Sequence, residues 1–135
     1  DDIMAMSGLA VPEVAVIMGE GGSGGALALA TADRVLMLSD AVYSVVSPES
    51  CATILWKSQK RAAEAADALG ITAKALMRLG IVDGEVDAEG LGTSEFAWRL
   101  AGRIHDELAE LGAMGTDDLL AARYERFRKI GRYDA

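Results

Sequence analysis

The chain has 135 residues, enough for one modest core, with half of them apolar, a quarter charged and only two prolines, a balance that excludes a disordered or low-complexity chain. The net charge of −8 argues against a nucleic-acid partner, and no apolar run reaches the length of a membrane span. The single cysteine, Cys51, excludes an internal disulfide and a multi-cysteine zinc site and favours a reducing compartment; no metal site is expected.

In chain order, residues 1–10 read as the end of a helix with Ile3 and Met6 on one face, stopped by Val11-Pro12. No signal-peptide pattern opens the chain, and the start at Asp1-Asp2 rather than Met favours a fragment of a longer polypeptide. Residues 14–18 and 34–38 are continuous apolar runs, the pattern of strands buried on both faces of a parallel sheet. A short small-residue helix is predicted over 24–31 and a third strand over 43–46. Ser47-Pro48-Glu49 then opens a helix over 48–56, with Ser47 as N-cap and Pro48 at the first helical position. Beyond residue 58 the pattern is mostly helical. Helices are predicted over 60–69, closed by Gly70, and over 72–79, capped by Thr72 and closed by Gly80. Residues 81–86 form a short extended piece with an Asp83-Gly84 turn. A long helix over 94–111 carries Phe96, Leu100, Ile104, Leu108 and Leu111 on one stripe. The last helix, 116–130, has acids at its start and Arg126, Arg128 and Lys129 at its end, matching the macrodipole. No repeat or linker divides the chain. It reads as a single domain, with core strands and a glycine turn in 1–58 and helices in 59–135.

Between the first strand and the first small helix lies Gly19-Glu-Gly-Gly-Ser-Gly-Gly25, and three chemistries fit it. Gly19-x-Gly21-x-x-Gly24 matches the dinucleotide fingerprint, and Asp40 follows at about the 20-residue spacing of its ribose-binding acid. Against this, only nine residues separate Gly24 from Arg34, while a parallel crossover takes about a dozen or more. Gly21-x-Ser23-x-Gly25 matches the nucleophile elbow, and the order Ser23, Asp83 or Asp87, His105 suits a hydrolase triad. But His105, the one histidine, falls on the polar edge of an amphipathic helix, where a surface role is the plainer reading. The third chemistry is an oxyanion hole of bare backbone N–H groups, which glycine permits by leaving the backbone approachable. The plainest alternative is tight helix–sheet packing.

Residues 11–58, above all GEGGSGGALA, DRVLML, YSVVSPE and CATILWKS, closely resemble the carboxyltransferase α subunit of bacterial acetyl-CoA carboxylase, and ALGITAKALMRLGIVDG and TDDLLAARYERFRKIG continue the resemblance to the end. It covers the C-terminal part of such a subunit. It implies a partial crotonase-like (ClpP/crotonase) α/β fold with a helical C-terminal extension. It implies transfer of the carboxyl group of carboxybiotin, held on a biotin carboxyl carrier protein, to acetyl-CoA, giving malonyl-CoA for fatty acid biosynthesis in the cytoplasm. In that family the site lies between α and β subunits, so a hetero-oligomer with a β subunit is expected, with no nucleic-acid or membrane partner. By that resemblance Gly24 and Gly25 donate N–H groups to an oxyanion, and Glu20, Gly21, Gly22 and Ser23 shape the turn against substrate. A propionyl-CoA or other acyl-CoA carboxyltransferase, and a truncated non-catalytic assembly partner, are the alternatives. As a lone piece, strands 14–18 and 34–38 are expected to have unpaired edges.

Elsewhere, Trp56-Lys57 and Lys60-Arg61 form a basic cluster suited to a carrier protein, to CoA phosphates or simply to a solvated helix start. Glu20 is placed to order the turn by a charge-assisted hydrogen bond. Cys51 lies near a helix start, with a buried core thiol as the default.

Overall fold

The computed structural model describes residues 2–131. In chain order it contains α1 (Asp2–Ser7), β1 (Val14–Ile17), β2 (Glu20–Gly22), α2 (Ser23–Leu29), β3 (Arg34–Leu38), β4 (Val42–Ser44) and α3 (Pro48–Trp56). A single 3₁₀ turn (Gln59–Arg61) leads to α4 (Ala62–Leu69), α5 (Ala73–Arg78), β5 (Gly84–Val86), α6 (Ser94–Gly112) and α7 (Thr116–Lys129).

The apolar runs form a parallel sheet in the order β1-β3-β5, with Val16 opposite Leu36 and Leu36 opposite Gly84. The middle strand holds the centre of the core: Val35, Leu36, Met37 and Leu38 are fully buried, as a run without polar alternation requires. Because β3 is paired on both sides, the expected unpaired edge at 34–38 is corrected; within this sheet only the outer edges of β1 and β5 lack a strand neighbour among the described residues. The chain passes from β1 to β3 through β2 and α2, and β2 belongs to a second, two-stranded parallel sheet. In it β2 pairs with β4, and Gly21 lies opposite Tyr43.

Local sequence explains the helix starts. Ser47 accepts from Ser50 N, Thr72 from Ala75 N and Thr93 from Phe96 N, each side chain taking an N–H that the helix itself leaves open. Gly70 and Gly80, at φ of +61° and +70°, terminate α4 and α5 where a side chain would be strained. Asp83-Gly84 is not a turn: Gly84 begins β5, and a Cβ there would stand 2.8 Å from Arg103 Nη2 and 3.1 Å from Leu36 Cδ2. Glycine is present for close approach rather than for turning. The region predicted as one helix over 60–69 is the 3₁₀ turn followed by α4. A small satellite core of Cys51, Ala52 and Ala65, flanked by Trp56 and Leu69, packs α3 on α4.

The two ends of the described chain are tied by charge. Arg123 of α7, 2% exposed, donates to Asp33, 3% exposed, and also to the carbonyls of Met6, Leu9 and Val11 at 3.1, 2.8 and 2.9 Å. Asp33 in turn accepts from Glu13 N at 2.8 Å. One turn further along α7, Arg126 donates to Ile81 O and to Asp83 Oδ2, and that same carboxylate oxygen accepts from Val35 N. No helix of the described residues is long and apolar enough to cross a membrane.

Candidate functional site

The glycine turn is partly strand. Glu20–Gly22 extend as β2, and the chain then reverses into α2 through Ser23, whose φ is +56°. The left-handed residue of the turn is therefore the serine; all its glycines lie at negative φ or in ordinary extended geometry. A non-glycine residue there costs about 1 kcal/mol or more and persists only where its surroundings enforce it.

Each glycine has its own reason. A Cβ at Gly21 would meet Tyr43 Cδ2 at 2.7 Å and Ile17 Cγ2 at 3.4 Å, so the close approach of β2 to β4 excludes a side chain. At Gly22, Gly24 and Gly25 a Cβ would meet nothing within 4 Å, and all three are exposed. These three keep a stretch of backbone bare. Gly22 sits at the N-cap of α2 without a capping side chain, and no acceptor among the described residues takes the N–H groups of Gly24 and Gly25.

Gly24 borders an apolar cleft of about 590 Å³, lined also by Ser23, by Tyr43 and Ser44 of β4, and by residues such as Leu76 and Phe127 from later helices. Tyr43 is the one titratable side chain among its lining residues. Burial pushes the Tyr43 phenol above its ordinary value near 10, against the opposing charge of Arg126, so it stays a neutral donor. It donates to Ala26 O at 2.6 Å. The cleft thus offers backbone donors in apolar surroundings without an acid or base side chain.

The structure brings Gly21, Gly22, Ser23, Gly24 and Gly25 together and leaves other expected residues apart. Glu20 is exposed on β2, and its carboxylate makes no hydrogen bond to the turn. His105 is exposed on α6, and neither it nor Asp83 nor Asp87 lines the cleft beside Ser23. Asp83 is engaged with Arg126 and Val35 N, so Ser23 has the strained backbone of a nucleophile elbow but no base. The dinucleotide reading fails on topology, since the short strand β2 and the seven-residue α2 stand where a full crossover helix belongs. Cys51 is buried, as the default had it, and Arg61 of the basic cluster stacks 4.0 Å over Trp56. Sequence reasoning missed Tyr43; the only local signal was a large aromatic one strand away from a glycine needing a bare Cα.

The arrangement, a parallel sheet whose strand-to-helix turn exposes backbone donors beside an apolar cleft, is that of the crotonase fold. Solved structures agree. A Pseudomonas malonate decarboxylase hetero-tetramer in complex with coenzyme A superposes with a TM-score of 0.73 at 17% identity, covering 94% of this chain and 53% of that one. An enoyl-CoA hydratase from Mycobacterium avium subsp. paratuberculosis gives 0.63 at 19%, covering 94% and 54%. Residues 1–131 match the acetyl co-enzyme A carboxylase carboxyltransferase-like family, and the chain belongs to it. The acetyl-coenzyme A carboxylase carboxyl transferase subunit alpha of Streptococcus thermophilus is 54% identical over 128 residues, which are 95% of this chain and 50% of that protein. The chain thus spans about half the length of the curated relatives it matches.

Proposed function

We propose that this chain supplies the α side of the carboxyltransferase site of acetyl-CoA carboxylase, working in the cytoplasm with a β subunit and a biotin carboxyl carrier protein. The reaction makes malonyl-CoA from acetyl-CoA. One observation carries the reading: in a chain of this family, the N–H groups of Gly24 and Gly25 stand unpaired and unshielded, and Gly24 lines an apolar cleft.

Carboxybiotin, held on the carrier, would supply the carboxyl group; as its bond to the ureido nitrogen breaks, negative charge would fall on the ureido carbonyl oxygen, which the Gly24 and Gly25 N–H groups would hold. Loss of a proton beside the thioester, to the ureido nitrogen that the carboxyl group has left, would likewise place charge on the thioester carbonyl oxygen. Either oxygen is a suitable acceptor for two adjacent backbone donors, which need no proton transfer and little reorganisation in dry surroundings. The residues present fit such an oxygen. Gly22, Gly24 and Gly25 leave the approach open, no carboxylate lines the cleft to repel it, and Ser23, at φ +56°, turns the backbone from β2 into α2. Gly21 and Gly22 shape the approach. α2 has only seven residues, so the effect rests on individual N–H groups rather than on a long helix dipole.

The test is carboxyl transfer in reverse: loss of malonyl-CoA dependent on added biocytin, in the assembled carboxyltransferase. The native sequence is expected to turn over. Gly24→Val, which fills the open approach, is expected to lose about a hundredfold or more in rate while the subunits still assemble. Unchanged turnover in that variant overturns the assignment.

A further inference from the structure

We propose that Tyr43 is a positioning residue for the Gly24 and Gly25 donors, holding the glycine turn from both sides through its ring and its hydroxyl; this rests on the oxyanion reading above. Tyr43 lies opposite Gly21 in the β2–β4 pair, and its ring occupies the space a Gly21 Cβ would need, 2.7 Å away. Its hydroxyl crosses to the far side of the turn and donates to Ala26 O at 2.6 Å. Gly21 precedes the left-handed Ser23 and Ala26 follows it, so one side chain brackets the strained residue and the two donors next to it.

Tyr43 is itself fixed. Its backbone N–H donates to Ile71 O at 3.0 Å, the neighbouring Val42 N donates to Gly19 O at 3.0 Å, and the side chain is nine-tenths buried. Position is therefore passed from the core to the turn. No other side chain among the described residues hydrogen-bonds to backbone between Gly19 and Leu27. Loss of that bond removes the one side-chain tie on this segment, and small displacements of oriented donors have large effects on rate.

The hydroxyl can be removed without orphaning its acceptor, because Ala26 O also accepts from Ala30 N at 3.1 Å. Tyr43→Phe keeps the ring on Gly21 and removes the tie alone. Gly21→Ala displaces the ring and the hydroxyl with it. Both are measured beside Gly24→Val in the assembled carboxyltransferase, with kcat, KM for malonyl-CoA and amide hydrogen exchange at Gly24 and Gly25.

The expected result for Tyr43→Phe is a kcat lower by about tenfold, a KM within about twofold, and faster exchange at the turn with assembly unchanged. Gly21→Ala is expected to move the same quantities in the same direction. If Gly24→Val is inactive but Tyr43→Phe matches the native kcat, Tyr43 only fills space and the proposal fails while the oxyanion reading stands. If Gly24→Val turns over normally, the oxyanion reading fails and takes this one with it. A parallel loss of assembly and KM in Tyr43→Phe overturns the proposal in favour of a general structural role.

Discussion

Arg123 and Asp33 meet across 90 residues of chain in a two-point contact, Nε to Oδ1 at 2.7 Å and Nη2 to Oδ2 at 2.8 Å. Both side chains are almost wholly withdrawn from water, so each charge depends on the other. Arg123→Met leaves Asp33 buried and unpaired, and is expected to cost about 3–5 kcal/mol in urea unfolding. The double replacement Asp33→Leu with Arg123→Met is expected to cost clearly less than the sum of the single changes, because it strands neither charge. Additive losses would show that the pair is not coupled.

Glu13 sits at the edge of the same cluster, 3.3 Å from Arg123 Nη1, with Oε2 buried and without a hydrogen-bond partner among the described residues. Burial raises its carboxyl above the ordinary value of 4.5; Arg123 lowers it and Asp33 raises it further, and the outcome is upward. A carboxyl raised in the folded state supports folding fully below its unfolded value, near 4.5, and loses that contribution as the pH climbs through its folded value. Glu13→Gln escapes that loss. Its unfolding free energy is expected to gain on the native chain as pH rises from 4 to 7, and a flat difference across that range would refute the assignment.

Gly84 is predicted to resist enlargement. An added methyl would press on Leu36, which cannot move because it is fully buried, and on Arg103, which can. Gly84→Ala is expected to lower stability by about 1–2 kcal/mol, the ordinary cost of overpacking. Calorimetry of the variant checks this, and a second change, Leu36→Ala, should relieve the clash without restoring full stability.

Thr93 starts the 19-residue α6, accepting from Phe96 N at 3.2 Å and donating to Gly90 O at 2.6 Å. Thr93→Ala is expected to cost about 1 kcal/mol in thermal unfolding, and Thr93→Ser to recover most of it. A loss equal in both variants would mean that the methyl group, not the oxygen, matters.

What the sequence displayed was whatever is written locally. Ser47-Pro48 announces α3 at the residue where it begins, and the unbroken run at 34–38 is the central strand. The glycine turn was legible as a site because its glycines are contiguous, although β2 inside it was not: three residues, two of them glycine, carry no strand pattern until β4 arrives to pair with them. Asp83-Gly84 has the composition of a turn, and only Leu36 and Arg103, distant in sequence, show why glycine is needed there. Asp33 and Arg123 are each unremarkable in their own segments. Their contact is a matter of tertiary placement, as is the reach of Tyr43 from one strand to the far side of a neighbouring turn.

The clasp also sets an order of events in the cell. A ribosome releases Asp33 long before Arg123, and until the later residue emerges the earlier carboxylate has no guanidinium to meet it. The strands and the glycine turn can gather early, but the packing that buries Asp33 must wait for α7. The donor-bearing turn is thus made well before the helix that closes the core around it.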